Sequence, residues 1–234
     1  MKWLLALVFV VCGCAPKAVE PPGSVTGQVK FAGQIAKAVV IDMEQDPQCK
    51  KLYPEAPREE QTVVVSPEGT LANVFVYVKS GLEGKKFEAP KTAVKIDQKG
   101  CWFEPRVIGM QTGQALQVTN SDPVTHNIHP EAKVNREWNQ SQAPEDGPLS
   151  RKFVQPEVMI RVKCNVHKWM RSWIGVVEHP YFAVTGGDGS FEFQALPVGT
   201  YQVVAWHEKL GLQEKTLVVA SGSKARLDFS FNGQ

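Results

Sequence analysis

The feature that most constrains this chain is an apolar–polar alternation with a period of two that recurs almost from end to end. Ser24-Val25-Thr26-Gly27-Gln28-Val29-Lys30-Phe31 shows it first, and Leu116 to Asn120 and Glu157 to Lys163 repeat it cleanly. Successive side chains of a strand point to opposite faces, so this pattern is that of half-buried strands. Thr62 to Val65, Ala72 to Val78, Ala93 to Ile96 and Trp173 to Val177 are further β-rich runs, set off by Pro-Glu-Gly and Gly-Leu-Glu-Gly turn signals. No stretch of helical length carries apolar residues at intervals of three and four. The expected class is all-β, with strands at sandwich-like spacing.

After Glu178-His179-Pro180 the alternation becomes more regular. Tyr181 to Thr185, Ser190 to Leu196, Thr200 to His207, Lys215 to Ala220 and Ala225 to Phe231 read as five strands joined by glycine-containing turns. This tail reads as a second, smaller sandwich. Gly187-Asp188-Gly189-Ser190-Phe191 with Leu196-Pro197-Val198-Gly199-Thr200-Tyr201 resembles the carboxypeptidase-regulatory-like (transthyretin-like) module, which implies a structural or binding unit without catalysis. The expected division is a leader over 1–13, a tether over 14–23, a main sandwich over 24–177 and the small sandwich over 178–234.

The N-terminus bears on location. Met1-Lys2 is a short basic start, Trp3 to Val11 is apolar, and Val11-Cys12-Gly13-Cys14 follows. The apolar run is too short to span a membrane but suits an export signal. The last four of these residues resemble a bacterial lipobox, which implies acylation of Cys14 and a body tethered to a membrane at the periplasm or cell surface. Ala15 after the modified Cys points to the outer membrane. With a formal charge of +2 over 234 residues and no basic cluster, a nucleic-acid partner is not expected.

Of the five cysteines, Cys12 leaves with the leader and Cys14 takes lipid, so Cys49, Cys101 and Cys164 remain. Export favours disulfides, and an odd count leaves one thiol with another task. Cys49 in the turn-like Asp46-Pro47-Gln48-Cys49 and Cys101 after Lys99-Gly100 both sit at loop positions that a disulfide can join. The rivals are pairing of one of them with Cys164, or three free thiols. The Cys49–Cys101 bridge is expected, because the surroundings of Cys164 suit different chemistry.

Cys164-Asn165-Val166-His167-Lys168-Trp169-Met170 places a thiolate, an imidazole and a thioether at three-residue intervals between two strands. These are soft and intermediate ligands, and a trigonal His₂Cys site with a weak axial Met is a blue-copper arrangement. A second imidazole must come from another strand, and Asn120 to His129 offers His126 and His129. Residues three apart on a strand face opposite ways, so both serve one ion only if the backbone turns between them.

An Asn, a short turn and His-Asn, followed later by Cys-x-x-His and Met, resemble the two half-motifs of the cupredoxin family over roughly residues 70 to 177. The resemblance implies a Greek-key β-sandwich with copper held by His126, Cys164, His167 and axial Met170. Asn127 would support them from behind, and His129 is the alternative ligand. It implies one-electron exchange with redox partner proteins or small electron carriers, and no enzymatic activity. One departure concerns Met170: two residues separate it from His167, where plastocyanin-like sites have four. That shorter spacing resembles the end of a binuclear copper motif, which needs a second Cys that this loop lacks. Five histidines are too few for a multicopper oxidase or nitrite reductase. Zinc has little use for a thioether, and a Cys/His hydrolase would need a third orienting group. Copper carriage or storage, or a structural or glycan-binding role without metal, are the rival functions.

Overall fold

The structure is a computed structural model that describes residues 20–35 and 37–233. The leader, Cys12, the expected lipid site Cys14 and most of the tether lie outside the described residues. No helix among those described is long and apolar enough to cross a membrane.

In chain order the elements begin with β1 (Gly23–Ala32), α1 (Pro47–Lys51), β2 (Phe75–Ser80), β3 (Val94–Gln98), β4 (Phe103–Glu104) and β5 (Val107–Gln111). They continue with β6 (Ala115–Asn120), β7 (His126–Pro130), β8 (Gln140–Gln142), β9 (Leu149–Lys152), β10 (Glu157–Lys163) and β11 (Arg171–Val177). The last six are β12 (Phe182–Val184), β13 (Ser190–Leu196), β14 (Gly199–His207), β15 (Gly211–Val219), β16 (Lys224–Arg226) and β17 (Phe229–Asn232).

The expected all-β class holds, with four sheets stacked as two sandwiches. One sandwich packs the sheet β5-β11-β10-β7-β8 on the sheet β4-β3-β6-β9. Alternation explains its core: Ile160 and Val162 of β10 turn inward while Arg161 is exposed, and Ile96, Leu116, Ile128 and Ile174 meet them with Trp102, Phe103 and Phe153. The other sandwich packs β13-β1-β16, with β17 also on β1, against β12-β2-β14-β15. Its core holds Val25, Val29, Phe193, Tyr201, Val203, Phe229 and Phe231.

This arrangement corrects the division expected at residue 178. The small sandwich is not the tail alone, because β1 lies between β13 and β16 and β2 lies between β12 and β14. The tail supplies strands enough for parts of two sheets but not the apolar faces to close them, and β1 and β2 provide those faces. Three local expectations also change. Thr62 to Val65 forms no strand beyond a single bridge from Val65 to Leu71. Ala225 to Phe231 breaks into β16 and β17. The turn at Asp46 is the N-cap of the one-turn helix α1, with Pro47 at its start.

The two sandwiches meet at Phe75 of β2, which is fully buried and lies on the paired Gly109 of β5 and Gly175 of β11. A Cβ at Gly175 would stand 2.5 Å from the Phe75 ring, so only glycine leaves room for it. Burying such a ring contributes roughly 1.5–3 kcal/mol. Arg106 and Glu208 close the same interface with paired hydrogen bonds of 2.7 and 2.9 Å, and the Trp173 indole N–H donates to Glu208.

Candidate metal centre

The β10–β11 connection makes one half of the site. β10 ends at Lys163, and the chain then folds on itself: the His167 N–H donates to Cys164 Sγ (3.4 Å), the Met170 N–H to the His167 carbonyl (2.9 Å) and the Cys164 N–H to the Met170 carbonyl (3.3 Å). Cys164, His167 and Met170 are thereby turned inward, each 2% exposed or less, while Val166 at the tip is exposed. Met170 lies fully buried in the same core as Cys164.

β7 makes the other half. It runs antiparallel beside β10, with His129 opposite Lys163, and so continues toward the loop that follows. His126 enters the core and is fully buried. His126 Nδ1 stands 3.0 Å from His167 Nδ1, which is 3.8 Å from Cys164 Sγ, and one ligand atom from each residue lies within 4.8 Å of the other two. His129 leaves on the opposite side of β7. Its ring meets Glu137 (2.5 Å) and the Asn165 side-chain oxygen (3.2 Å), outside this cluster. Asn127 accepts the Asn165 N–H at 2.5 Å and its amide reaches Asn139, so it ties the strand to the loop behind the cluster.

The outer edge of each imidazole is held by a carboxylate that the sequence did not single out. His126 Nε2 meets Asp122 Oδ2 at 2.8 Å, and His167 Nε2 meets Asp46 Oδ2 at 2.7 Å. A carboxylate on Nε2 holds the proton there and leaves the Nδ1 lone pair facing the centre, the tautomer that a ligating histidine needs. Both carboxylates are fixed in turn. Asp122 also accepts from the Gly100 and Cys101 N–H groups, and Asp46 from those of Gln48 and Cys49 at the start of α1. The Cys49–Cys101 disulfide joins these two supports, with its Cα atoms 5.7 Å apart. Trp169 packs its ring 5.2 Å from that of His167 and donates its indole N–H to the Cys101 carbonyl (3.1 Å).

Asp122 gave a local signal, since Asp-Pro four residues before His126 turns the chain, and Asn120 accepts its N–H. Asp46 gave none, being 121 residues from the imidazole that it holds.

Burial alone opposes charge on every group here, and hydrogen bonding reverses its effect. Asp122 and Asp46 stay below the usual carboxylate range through their imidazole and N–H partners. His126 and His167 are raised by their carboxylates and by Cys164. Burial pushes the Cys164 thiol up, but hydrogen bonding to His126 and His167, and to backbone N–H groups, brings it down to about 6. The pocket is therefore prepared to keep a thiolate, the form that binds metals.

No protein-family model matches the chain, and no curated protein matches it. Among solved structures it is similar to a Cu-containing nitrite reductase from Thermus scotoductus SA-01 (19% identity, TM-score 0.35), over 41% of this chain and 24% of that one. It is also similar to an oxidised amicyanin variant (19% identity, TM-score 0.33; 43% of this chain, 97% of that one). A purple cupredoxin from Nitrosopumilus maritimus matches at 19% identity and TM-score 0.30, over 36% of this chain and 98% of that one. Each likeness is partial, and what the centre can hold is read from its own donor atoms.

Proposed function

We propose that His126, Cys164 and His167, with Met170 as a weak fourth ligand, hold one copper ion, and that the protein passes single electrons. The observation that carries this reading is the convergence of two Nδ1 atoms and one Sγ in a buried pocket with both Nε2 atoms fixed by carboxylates. One soft thiolate with two imidazoles is the donor set of a trigonal copper site. Bound copper would supply a one-electron couple. Cys164 and the two imidazoles would hold it, and Asp46 and Asp122 keep the rings from turning.

Burial separates this reading from its rivals. Ligand residues only 0–2% exposed suit retention of an ion better than its handover to a partner. We place the protein in the periplasm or at the cell surface, anchored to a bacterial membrane through lipid on Cys14 and exchanging electrons with redox proteins or small carriers. Absorption and EPR spectra of the copper-loaded protein test the site. Intense thiolate-to-copper absorption that Cys164→Ser abolishes and His129→Ala spares supports it, and uptake of zinc alone or of no metal refutes it.

A further inference from the structure

The Cys49–Cys101 disulfide lies on the carboxylate side of the two imidazoles, and each of its sulfurs belongs to a cluster of its own. Cys49 Sγ, an Asp46 oxygen and a His167 ring nitrogen lie within 4.8 Å of one another, and so do Cys101 Sγ, an Asp122 oxygen and a His126 ring nitrogen. Both cysteines are fully buried. Contacts other than the S–S bond hold both in place: Asp46 takes the Cys49 N–H, Asp122 takes the Cys101 N–H, Tyr53 donates its hydroxyl to the Gly100 carbonyl and Trp169 its indole N–H to the Cys101 carbonyl. Opening the bridge therefore leaves two thiols side by side.

The donor inventory decides what such a pair would take. Asp122 already accepts three hydrogen bonds and Asp46 another three. The oxygens and Nε2 atoms are thus committed to one another, and two sulfurs remain. Two thiolates without further ligands suit a soft monovalent ion such as Cu(I), whereas zinc asks for four donors.

We propose that Cys49 and Cys101, once reduced, form a second metal site selective for Cu(I), which the disulfide closes. A dithiol reductant opens it by thiolate attack on one sulfur, and the reductant's second thiol then resolves the mixed disulfide. The reductant leaves as a cyclic disulfide, having given two electrons to the S–S bond and two protons to the cysteines. Binding of Cu(I) then releases those two protons. The site stands independently of the reading of Cys164.

The test uses full-length protein carrying Cys12→Ser and Cys14→Ser in every arm, so that the leader and tether thiols do not contribute. Samples are oxidised, or reduced with dithiothreitol that is then removed anaerobically, and alkylation mapping confirms the state of Cys49 and Cys101. Each is titrated with Cu(I) from its bicinchoninate complex. The expected result is one equivalent bound when oxidised and two when reduced. Cys164→Ser should bind none when oxidised and one when reduced, and Cys49→Ser/Cys101→Ser should bind one in both conditions. Uptake that does not rise on reduction overturns the proposal. So does a reduced chain that loses its near-ultraviolet dichroism and does not regain it with Cu(I), or a reduced pair that takes zinc as readily. An oxidised Cys164→Ser variant that still binds one equivalent would count against Cys164 alone, because the gain on reduction is read separately.

Discussion

Removing the Asp122 carboxylate tests whether the centre is held from outside. Three donors converge on it: the Gly100 N–H (2.6 Å), the Cys101 N–H (2.7 Å) and His126 Nε2 (2.8 Å), with the side chain 4% exposed. In Asp122→Ala the two backbone groups lose their acceptor, at roughly 1–3 kcal/mol each, so about 4 kcal/mol of stability should go. The His126 ring is then free to carry its proton on Nδ1, and loss of such an outer partner weakens metal binding about 10–100-fold. Asp122→Asn should fall between. Its oxygen can keep His126 and the Cys101 N–H, while its NH₂ must face the Gly100 N–H. Urea unfolding of the metal-free chain and a copper competition titration measure the two effects. A stability loss below about 1 kcal/mol together with unchanged copper affinity would mean that Asp122 does not hold the centre.

Cys49→Ala/Cys101→Ala should lower stability by about 4 kcal/mol, from loop entropy over a separation of 52 residues, as read by guanidinium unfolding; a loss under about 1 kcal/mol would contradict it. In the metal-free protein, thiolate absorbance near 240 nm should titrate with a midpoint of about 6 and disappear in Cys164→Ser; a midpoint near 9.0 would show that the imidazoles do not support the thiolate. This depressed thiol contributes stability that is fully present above its unfolded value of 9.0 and lost as pH falls through about 6, whereas His126 and His167, both raised, contribute below 6.5 and lose their share as pH rises through their folded values. Gly175→Ala should cost about 1–3 kcal/mol by driving a methyl into the Phe75 ring, and a melting temperature unchanged within error would mean that this contact yields freely.

What was legible in the sequence depended on which physical signal each element carries. β10 and β13 each have one face on a core and one in solvent, so alternation marks them. β5 carries no such mark, because one face lies on the core that holds Cys164 and the other on Phe75 and Phe182 of the neighbouring sandwich. The pairing of β1 with strands more than 150 residues away leaves no local trace, and for that reason residue 178 looked like a boundary. Cys164 and His167 were legible because one loop carries both. His126 and His129 differ in the face of β7 that each takes, which alternation alone does not assign: His126 turns inward and His129 toward Glu137. Asp46 needed the tertiary fold, since a one-turn helix far along the chain places it.

X-ray absorption at the copper edge of the loaded protein reads the donor set of the centre, because it counts the atoms bound to the ion. One short sulfur contact and two imidazole nitrogens are expected, with the sulfur lost in Cys164→Ser and one imidazole lost in His126→Ala. A first shell of nitrogen and oxygen alone, or one unchanged by Cys164→Ser, would contradict that donor set.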